Sequence, residues 1–130
     1  TVSLLEEYLA KEKKSLKDAK VGLLGLAYKA NVDDIRESPA LEILHLLKSK
    51  GADVFVLDPH VMKESNVKDM DELLNKSDFL ILATDHAEFK SLDAEKLKRN
   101  KIKAVIDGRN CLDKEKIKSM GIYYHGIGRK

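Results

Sequence analysis

The fold is decided by one stretch, VGLLGLAYKANVDDIRESPA, which runs from Val21 to Ala40. It begins with a continuous apolar run, continues through a charged segment over residues 28–37, and ends where Ser38 and Pro39 can start a helix. A serine N-cap with proline at the first helical position is a typical helix start. The stretch therefore predicts a strand, a long loop and a capped helix, which is the layout of a phosphate-binding βα unit.

The loop over residues 28–37 is longer than the roughly 2–6 residues usual between a strand and a helix, and such long loops are more often functional. Lys29 could bind a phosphate as a point charge, and Arg36 could bind one through its planar fork. The first amides of the next helix would add partial positive charge on the same side. Because charged loop residues are usually just solvated, the chemistry alone supports a phosphate site and a solvated loop equally.

Downstream of this stretch, short apolar runs alternate with amphipathic segments. Runs that are continuously apolar, rather than alternating, are typical of strands buried on both faces. Predicted strands cover residues 21–27, 54–57, 79–83, 104–106 and 122–124, and predicted helices cover residues 39–50, 70–76, 93–99 and 113–120. This order predicts a Rossmann-like three-layer α/β/α sandwich with a mostly parallel sheet, preceded by an N-terminal helix within residues 1–17.

The composition limits the classes of protein to consider. A length of 130 residues fits one domain, and the single cysteine, Cys111, excludes an internal disulfide and predicts a reducing, cytoplasmic setting. With 24 basic and 22 acidic residues the net charge is +2, so we expect no nucleic-acid partner. The longest apolar run, residues 79–83, is far below the roughly 18 residues of a membrane span, so we expect no membrane partner.

Candidate site residues follow from the predicted sheet, because ligands of parallel α/β proteins bind outside the carboxyl ends of the strands. Four segments would meet there: the loop over residues 28–37, Asp58-Pro59-His60, Thr84-Asp85-His86 and Asp107-Gly108-Arg109-Asn110. Arg109 is the favoured ligand contact in the last segment. Gly108 would let the backbone turn sharply there and aim the guanidinium across the crevice toward Lys29.

The remaining candidate residues are interpreted as structural rather than as ligand-binding. Gly22, Gly25 and Ala27 have G-x-x-G-x-A spacing, which differs from G-x-G-x-x-G and argues against NAD bound in the usual Rossmann manner. Asp58 is expected to make a turn with Pro59. The four histidines (His45, His60, His86 and His125) have no metal-ligand spacing and are interpreted as surface or turn residues. We therefore assign no catalytic residue and no metal ligand within this sequence.

Several segments together resemble a known family. They are VGLLGLAYK at residues 21–29, NVDDIRESPAL at 31–41, LDP at 57–59, ATDHAEF at 83–89 and DGRN at 107–110. Over residues 20–129 the sequence resembles the C-terminal, UDP-sugar-binding domain of the UDP-glucose/GDP-mannose dehydrogenase family. The NVDDIRESPAL and TDHAEF segments are most similar to members that oxidise UDP-N-acetyl-mannosamine or a related acetamido sugar.

This resemblance implies a part of an NAD-dependent dehydrogenase that oxidises the C6 alcohol of a UDP-sugar to a carboxylate in two hydride transfers. An N-terminal domain of the same protein would hold most of the NAD. Residues 1–17 would end a central dimerisation helix, residues 18–130 would form the UDP-sugar-binding domain, and the full-length protein would be a homodimer. Because the sequence begins without methionine and in mid-pattern, we expect a longer polypeptide upstream.

The resemblance also implies roles for individual residues. Tyr28, Lys29 and Arg109 match the positions that contact the nucleotide sugar, and Arg36 matches the arginine that reaches the NAD of the other domain. The catalytic cysteine of the family belongs to an upstream motif that these residues lack, and Cys111 does not match it. The resemblance therefore implies that this chain binds its ligand without catalysing the oxidation by itself.

One alternative comes from another functional class. A non-catalytic, flavodoxin-like α/β module with a regulatory or interaction role would have the same order of strands and helices. An acidic cluster at its strand ends could serve as a phosphoacceptor site, and Asp33, Asp34, Asp58 and Asp107 are the acids that could form one. That hypothesis leaves the cations Lys29, Arg36 and Arg109 without a role.

Overall fold

The structure is a computed structural model that describes residues 2–27 and 38–126, apart from the side chains of residues 90 and 91. Its five strands are β1 (Lys20–Leu24), β2 (Asp53–Leu57), β3 (Phe79–Leu82), β4 (Ala104–Asp107) and β5 (Tyr123–Gly126). Its five α-helices are α1 (Val2–Lys11), α2 (Pro39–Ser49), α3 (Met70–Lys76), α4 (Ala94–Arg99) and α5 (Lys114–Ser119). Two 3₁₀ helices, Met62–Glu64 and Ala87–Ser91, were not predicted.

All five strands are parallel and lie in the order β2-β1-β3-β4-β5. Strand β1 therefore pairs with β2 on one side and β3 on the other, with Val21 opposite both Val54 and Phe79. The chain winds toward one edge of the sheet after β1 and toward the other edge from β3 onward. A reversal of this kind creates a crevice at the carboxyl ends of the two strands concerned, here β1 and β3.

Successive side chains of the strands point to opposite faces of the sheet, and each face is covered by helices. Leu24, Leu80 and Leu82 belong to the core that α3, α4 and α5 cover. Leu23 and Ile81, each one position away, belong to the core that α1 and α2 cover. Because both faces are apolar, the strands read as continuous apolar runs, and the predicted three-layer fold class is confirmed.

Helix α1 is an integral part of one core layer. Leu5 and Leu9 are fully buried, and the Tyr8 ring lies 4.7 Å from the Tyr123 ring and 6.1 Å from the Phe79 ring. The predicted N-terminal helix is confirmed, although it ends at Lys11, before the end of the predicted segment. Helix α1 packs against β4 and, through Tyr8, against Tyr123 of β5, so it shields this side of the sheet face from water.

The predicted start of α2 is also confirmed. The Ser38 hydroxyl accepts a 3.2 Å hydrogen bond from the Ala40 amide, and Pro39 occupies the first turn. On this helix, Ala40 and Leu47 are buried, whereas Ile43 and Leu44 are only partly buried. The reason is geometrical, since the apolar residues of α2 span more of its circumference than one sheet face can cover.

Candidate functional site

Strand β1 ends at Leu24 because Gly25 turns the chain. Gly25 has φ of +99°, and its amide donates a 2.9 Å hydrogen bond to the Leu57 carbonyl. A Cβ at this position would lie 2.5 Å from the Thr84 Cβ, so the turn requires glycine for both its conformation and its close packing. The predicted strand over residues 21–27 is therefore three residues too long, and the next two amides point away from the sheet ladder.

Those two amides donate to the carboxylate of Asp58. Oδ2 of Asp58 accepts hydrogen bonds from Leu26 (2.7 Å) and Ala27 (2.9 Å), while Oδ1 accepts one from the His60 amide (2.8 Å). The last bond confirms the turn predicted at Asp58-Pro59-His60. The first two bonds were not predicted, and they join the end of β2 to the end of β1.

His86 completes the contacts of this carboxylate. Its side chain is fully buried, and Nε2 donates to Oδ2 of Asp58 at 2.9 Å. The interpretation of His86 as a surface residue is therefore wrong, although its carbonyl does accept the Phe89 amide in the turn that starts the 3₁₀ helix Ala87–Ser91. Its ring packs 4.4 Å from the His60 ring and 5.5 Å from the Phe89 ring, between centroids. A histidine after β3 can meet an aspartate after β2 because both side chains reach over β1, which lies between those strands.

The protonation of Asp58 reflects two opposing effects. Burial by itself would raise the pKa of this carboxyl group, because a low-dielectric interior disfavours the charged form. The hydrogen bonds from the Leu26 amide, the His86 ring and the Ala27 and His60 amides stabilise the carboxylate more strongly, and they hold its pKa below the ordinary value. Asp58 is therefore a buried anion whose charge is satisfied by donors from three segments.

The carbonyl of Ala27 is held as well as its amide. It accepts a 2.9 Å hydrogen bond from the Thr84 hydroxyl and a 3.3 Å hydrogen bond from the Ser38 hydroxyl. Ala27 is the last described residue before the loop over residues 28–37, and Ser38 is the first described residue after it. Hydrogen bonds thus join the two ends of the predicted binding loop to each other and to the end of β3.

The turn that follows β4 is organised by Asp107, which is fully buried. Oδ1 of Asp107 accepts a hydrogen bond from the Arg109 amide (3.0 Å), and Oδ2 accepts one from the Leu112 amide (3.0 Å). Oδ2 also accepts a 2.7 Å hydrogen bond from the Tyr124 hydroxyl of β5. One carboxylate therefore fixes both the turn and its position relative to the neighbouring strand.

Arg109 lies at the carboxyl edge of the sheet, as predicted. Its Nε donates a 3.0 Å hydrogen bond to the Ala83 carbonyl, just after β3, and its side chain is exposed. Gly108 serves a different purpose from the predicted one: it does not have a positive φ, but a Cβ there would lie 2.8 Å from the Leu82 carbonyl oxygen. The residue of this turn with a positive φ is Asn110, at 54°.

The other predicted ligand contacts, Tyr28, Lys29 and Arg36, lie outside the described residues, as do Asp33 and Asp34. Within residues 2–27 and 38–126, no group of three or more histidine, cysteine, aspartate or glutamate side chains could hold a metal ion. In the same part of the chain, none of the helices is long and apolar enough to cross a membrane.

For three buried polar side chains, the sequence predicted their position near strand ends but not the residues to which they hydrogen-bond. Asp58 directly follows β2, Asp107 ends β4, and His86 lies four residues after β3. Their positions at or just after strand ends marked them as lying at the edge where ligands bind. A buried polar side chain that follows a strand needs a hydrogen-bond partner, which is a usable signal for a structural network. The identity of the partner depends on strand order, which the sequence pattern does not contain.

Comparison with known proteins agrees with the resemblance in the sequence. Residues 22–114 match the UDP binding domain of the UDP-glucose/GDP-mannose dehydrogenase family. The chain is 35% identical over 127 residues to the UDP-N-acetyl-D-mannosamine dehydrogenase of Pyrococcus horikoshii, covering 97% of this chain and 29% of that protein. A UDP-glucose 6-dehydrogenase of Rickettsia bellii is 36% identical over 126 residues, covering 88% of this chain and 29% of that protein.

Structural comparison gives the same result. The solved structure of the UDP-D-ManNAc dehydrogenase from Pyrococcus horikoshii superposes with a TM-score of 0.87 at 34% identity. The match covers 98% of this chain and 30% of that one, so the present chain spans less than a third of the length of these relatives. The strand order alone is shared with flavodoxin-like modules. The family match over residues 22–114 is therefore the finding that favours a UDP-binding domain of a dehydrogenase over a non-catalytic flavodoxin-like module.

Proposed function

Because this chain belongs to the UDP-glucose/GDP-mannose dehydrogenase family, we propose that it is the UDP-sugar-binding part of an NAD-dependent nucleotide-sugar 6-dehydrogenase. The longer protein oxidises the C6 alcohol of its sugar to a carboxylate and passes two hydrides to NAD. Residues 18–130 form the binding domain, and residues 1–17 end a central helix through which the protein dimerises. The substrate is UDP-N-acetyl-mannosamine or a related UDP-hexose, and the protein is cytoplasmic.

The observation that carries this proposal is the placement of Arg109. Its backbone is held by the buried carboxylate of Asp107, and its Nε is held by the Ala83 carbonyl after β3. The guanidinium is thus fastened at the carboxyl edge, one strand away from the exit of β1. An arginine fork in this position suits the diphosphate or the uracil oxygens of UDP, since both are acceptors.

Residues 28–37 supply the remaining contacts in this proposal. Lys29 binds the diphosphate as a point charge, and Tyr28 packs its ring against the nucleotide sugar. Arg36 reaches the NAD that the N-terminal domain of the longer protein holds. The contribution of this chain to the reaction is therefore to bind and orient the substrate, and no residue in it is assigned a catalytic role.

The turn that follows β1, at residues 25–27, differs from the glycine-rich turn that binds the NAD pyrophosphate in a Rossmann domain. Gly22 lies inside β1 rather than in the turn, and Thr84 packs directly against Gly25. The amides of Leu26 and Ala27, which could otherwise face a pyrophosphate, already donate to the anionic Asp58. The three amides of residues 25–27 are therefore already engaged, two of them by an anion, and this part of the turn offers no donor to a pyrophosphate. This supports NAD binding by a separate domain.

Isothermal titration calorimetry with UDP tests the proposal on the 130-residue chain. We expect measurable binding at or below millimolar UDP, and a loss of about tenfold or more in affinity for both Arg109→Ala and Lys29→Ala, because each removes a charge-assisted contact. Lys48→Ala is the control, since this lysine lies in the last turn of α2, near the opposite edge of the sheet. Absence of binding, or equal affinity in all variants, would contradict the proposal.

A further inference from the structure

The end of β1 is held from both sides by the strands that flank it. Asp58, which follows β2, accepts the Ala27 amide, and Thr84, which follows β3, donates to the Ala27 carbonyl. Because β1 lies between β2 and β3, these two side chains approach Ala27 from opposite directions. Ser38, at the start of α2, donates to the same carbonyl.

These hydrogen bonds are buried. Asp58, Thr84 and His86 are fully buried, and Ser38 is 3% exposed. If Ala27 moved away, its amide and carbonyl and the side chains that hold them would lose their partners in a place that water does not reach. Unsatisfied buried groups are strongly disfavoured, so Ala27 is more tightly restrained than the last residue of an ordinary surface loop.

His86 contributes by orienting Asp58. Its Nε2 donates to the same Oδ2 atom that accepts the Leu26 and Ala27 amides. The histidine ring is itself held by packing against the rings of His60 and Phe89. Asp58 is therefore kept in one orientation by a partner in the segment that follows β3, and the position of Ala27 follows from that orientation.

We propose that Ser38, Asp58, Thr84 and His86 form a clasp that positions the loop over residues 28–37 for UDP binding. Lys29 follows Ala27 by two residues in the sequence, so a fixed Ala27 sets the point from which the segment that carries Lys29 begins. The four side chains are positioning residues and make no contact with the ligand. The clasp has this role only if Lys29 binds the nucleotide sugar, as proposed above.

Thr84 allows a matched test. Thr84→Val keeps the volume of the side chain and removes the hydroxyl, whereas Thr84→Ser keeps the hydroxyl. Titration with UDP should show an affinity about fivefold lower for Thr84→Val and within about twofold of wild type for Thr84→Ser. In a double-mutant cycle, the effect of Thr84→Val should disappear when Lys29 is already alanine, because the clasp acts through that residue.

Amide hydrogen exchange provides a second measurement on the same variants. Exchange of the Ala27 amide should accelerate about fivefold in Thr84→Val, while the Leu23 amide inside β1 should keep its rate. If Thr84→Val does not fold, the pair His86→Leu and His86→Gln replaces it, since glutamine keeps a donor toward Asp58 and leucine does not. We then expect weaker UDP binding for leucine than for glutamine.

The outcomes distinguish the two proposals. If the wild-type chain does not bind UDP, the proposed function fails and the clasp fails with it. If the wild type binds UDP and Thr84→Val binds equally well with an unchanged Ala27 exchange rate, only the clasp is refuted. A loss of affinity in Thr84→Val that persists on the Lys29→Ala background would also refute positioning through Lys29.

Discussion

Asp58 and His86 are 28 positions apart in the sequence, and a 2.9 Å hydrogen bond joins Oδ2 of the aspartate to Nε2 of the histidine. Both side chains are fully buried. The strands that they follow are not neighbours, because β1 lies between them. The hydrogen-bonded pair therefore lies across the carboxyl end of β1, just before the predicted substrate-binding loop over residues 28–37.

The first prediction concerns pH. The pKa of Asp58 is lower in the folded chain than its ordinary value of 3.8. A group with a depressed folded pKa stabilises the fold above its ordinary pKa, and this stabilisation is lost as the pH falls through the folded value. We therefore expect Asp58→Asn to lower the free energy of unfolding near pH 7 by about 1–3 kcal/mol. The difference from wild type should shrink as the pH falls below 3.8.

Urea denaturation between about pH 7 and pH 3 measures this difference. The curves of unfolding free energy against pH should converge at the acidic end, because protonated Asp58 no longer receives charge-assisted hydrogen bonds. Curves that stay parallel over the whole range would contradict the role assigned to the carboxylate.

The second prediction separates two reasons for glycine. Gly25 and Gly121 both have positive φ, at +99° and +81°, but a Cβ at Gly25 would meet Thr84 whereas one at Gly121 would meet nothing within 4 Å. Gly121→Ala should therefore destabilise the chain by only about 1–2 kcal/mol, from conformation alone. Gly25→Ala adds the steric overlap, which we expect to contribute about 1–3 kcal/mol more. Chemical denaturation of both variants measures the contrast, and equal losses would show that the Thr84 contact is unimportant.

The third prediction concerns the turn that presents Arg109. Tyr124→Phe removes the hydroxyl that donates to Asp107 at 2.7 Å, and we expect it to cost about 1–3 kcal/mol of stability. Tyr123→Phe is the control, because the Tyr123 hydroxyl forms no hydrogen bond with the described part of the chain. Thermal or urea unfolding measures both variants. Similar stability of the two would mean that the buried hydrogen bond to Asp107 contributes little.

The fourth prediction tests whether α1 is needed for the fold. Leu5 is fully buried against the sheet, so Leu5→Ala should destabilise the chain by about 2–5 kcal/mol through lost burial and the cavity left behind. The exposed Glu7 on the same helix offers a control, since Glu7→Ala should change stability by less than about 0.5 kcal/mol. If both substitutions were neutral, α1 would be detachable from residues 18–130.

Local chemistry explains why the helix boundaries were predictable. The predicted helix over residues 70–76 coincides with α3 (Met70–Lys76), and the starts of α4 and α5 were placed within one residue. Each of these helices begins at an aspartate whose carboxylate accepts an amide of its own first turn: Asp69, Asp93 and Asp113. Such caps lie within four residues of their partners, so the sequence pattern contains them completely.

The first strand shows where local reasoning failed. Leu26 and Ala27 continue the apolar run of β1, and the predicted strand therefore included them. Their amides instead donate to Asp58, about thirty residues away. An apolar run indicates that a segment is buried. The hydrogen-bond acceptor of a buried amide, however, depends on which other strand lies beside it.

The sequence by itself determined the layers of the fold, the helix caps, the family and the location of Arg109 at the carboxyl edge of the sheet. Each of these depends on short-range pattern or on the wording of a motif. Tertiary structure decided that β1 lies between β2 and β3, and with it that Asp58, Thr84 and His86 meet around Ala27. Strand order results from packing both apolar faces at once, and a buried polar side chain takes whichever donor or acceptor that packing brings near.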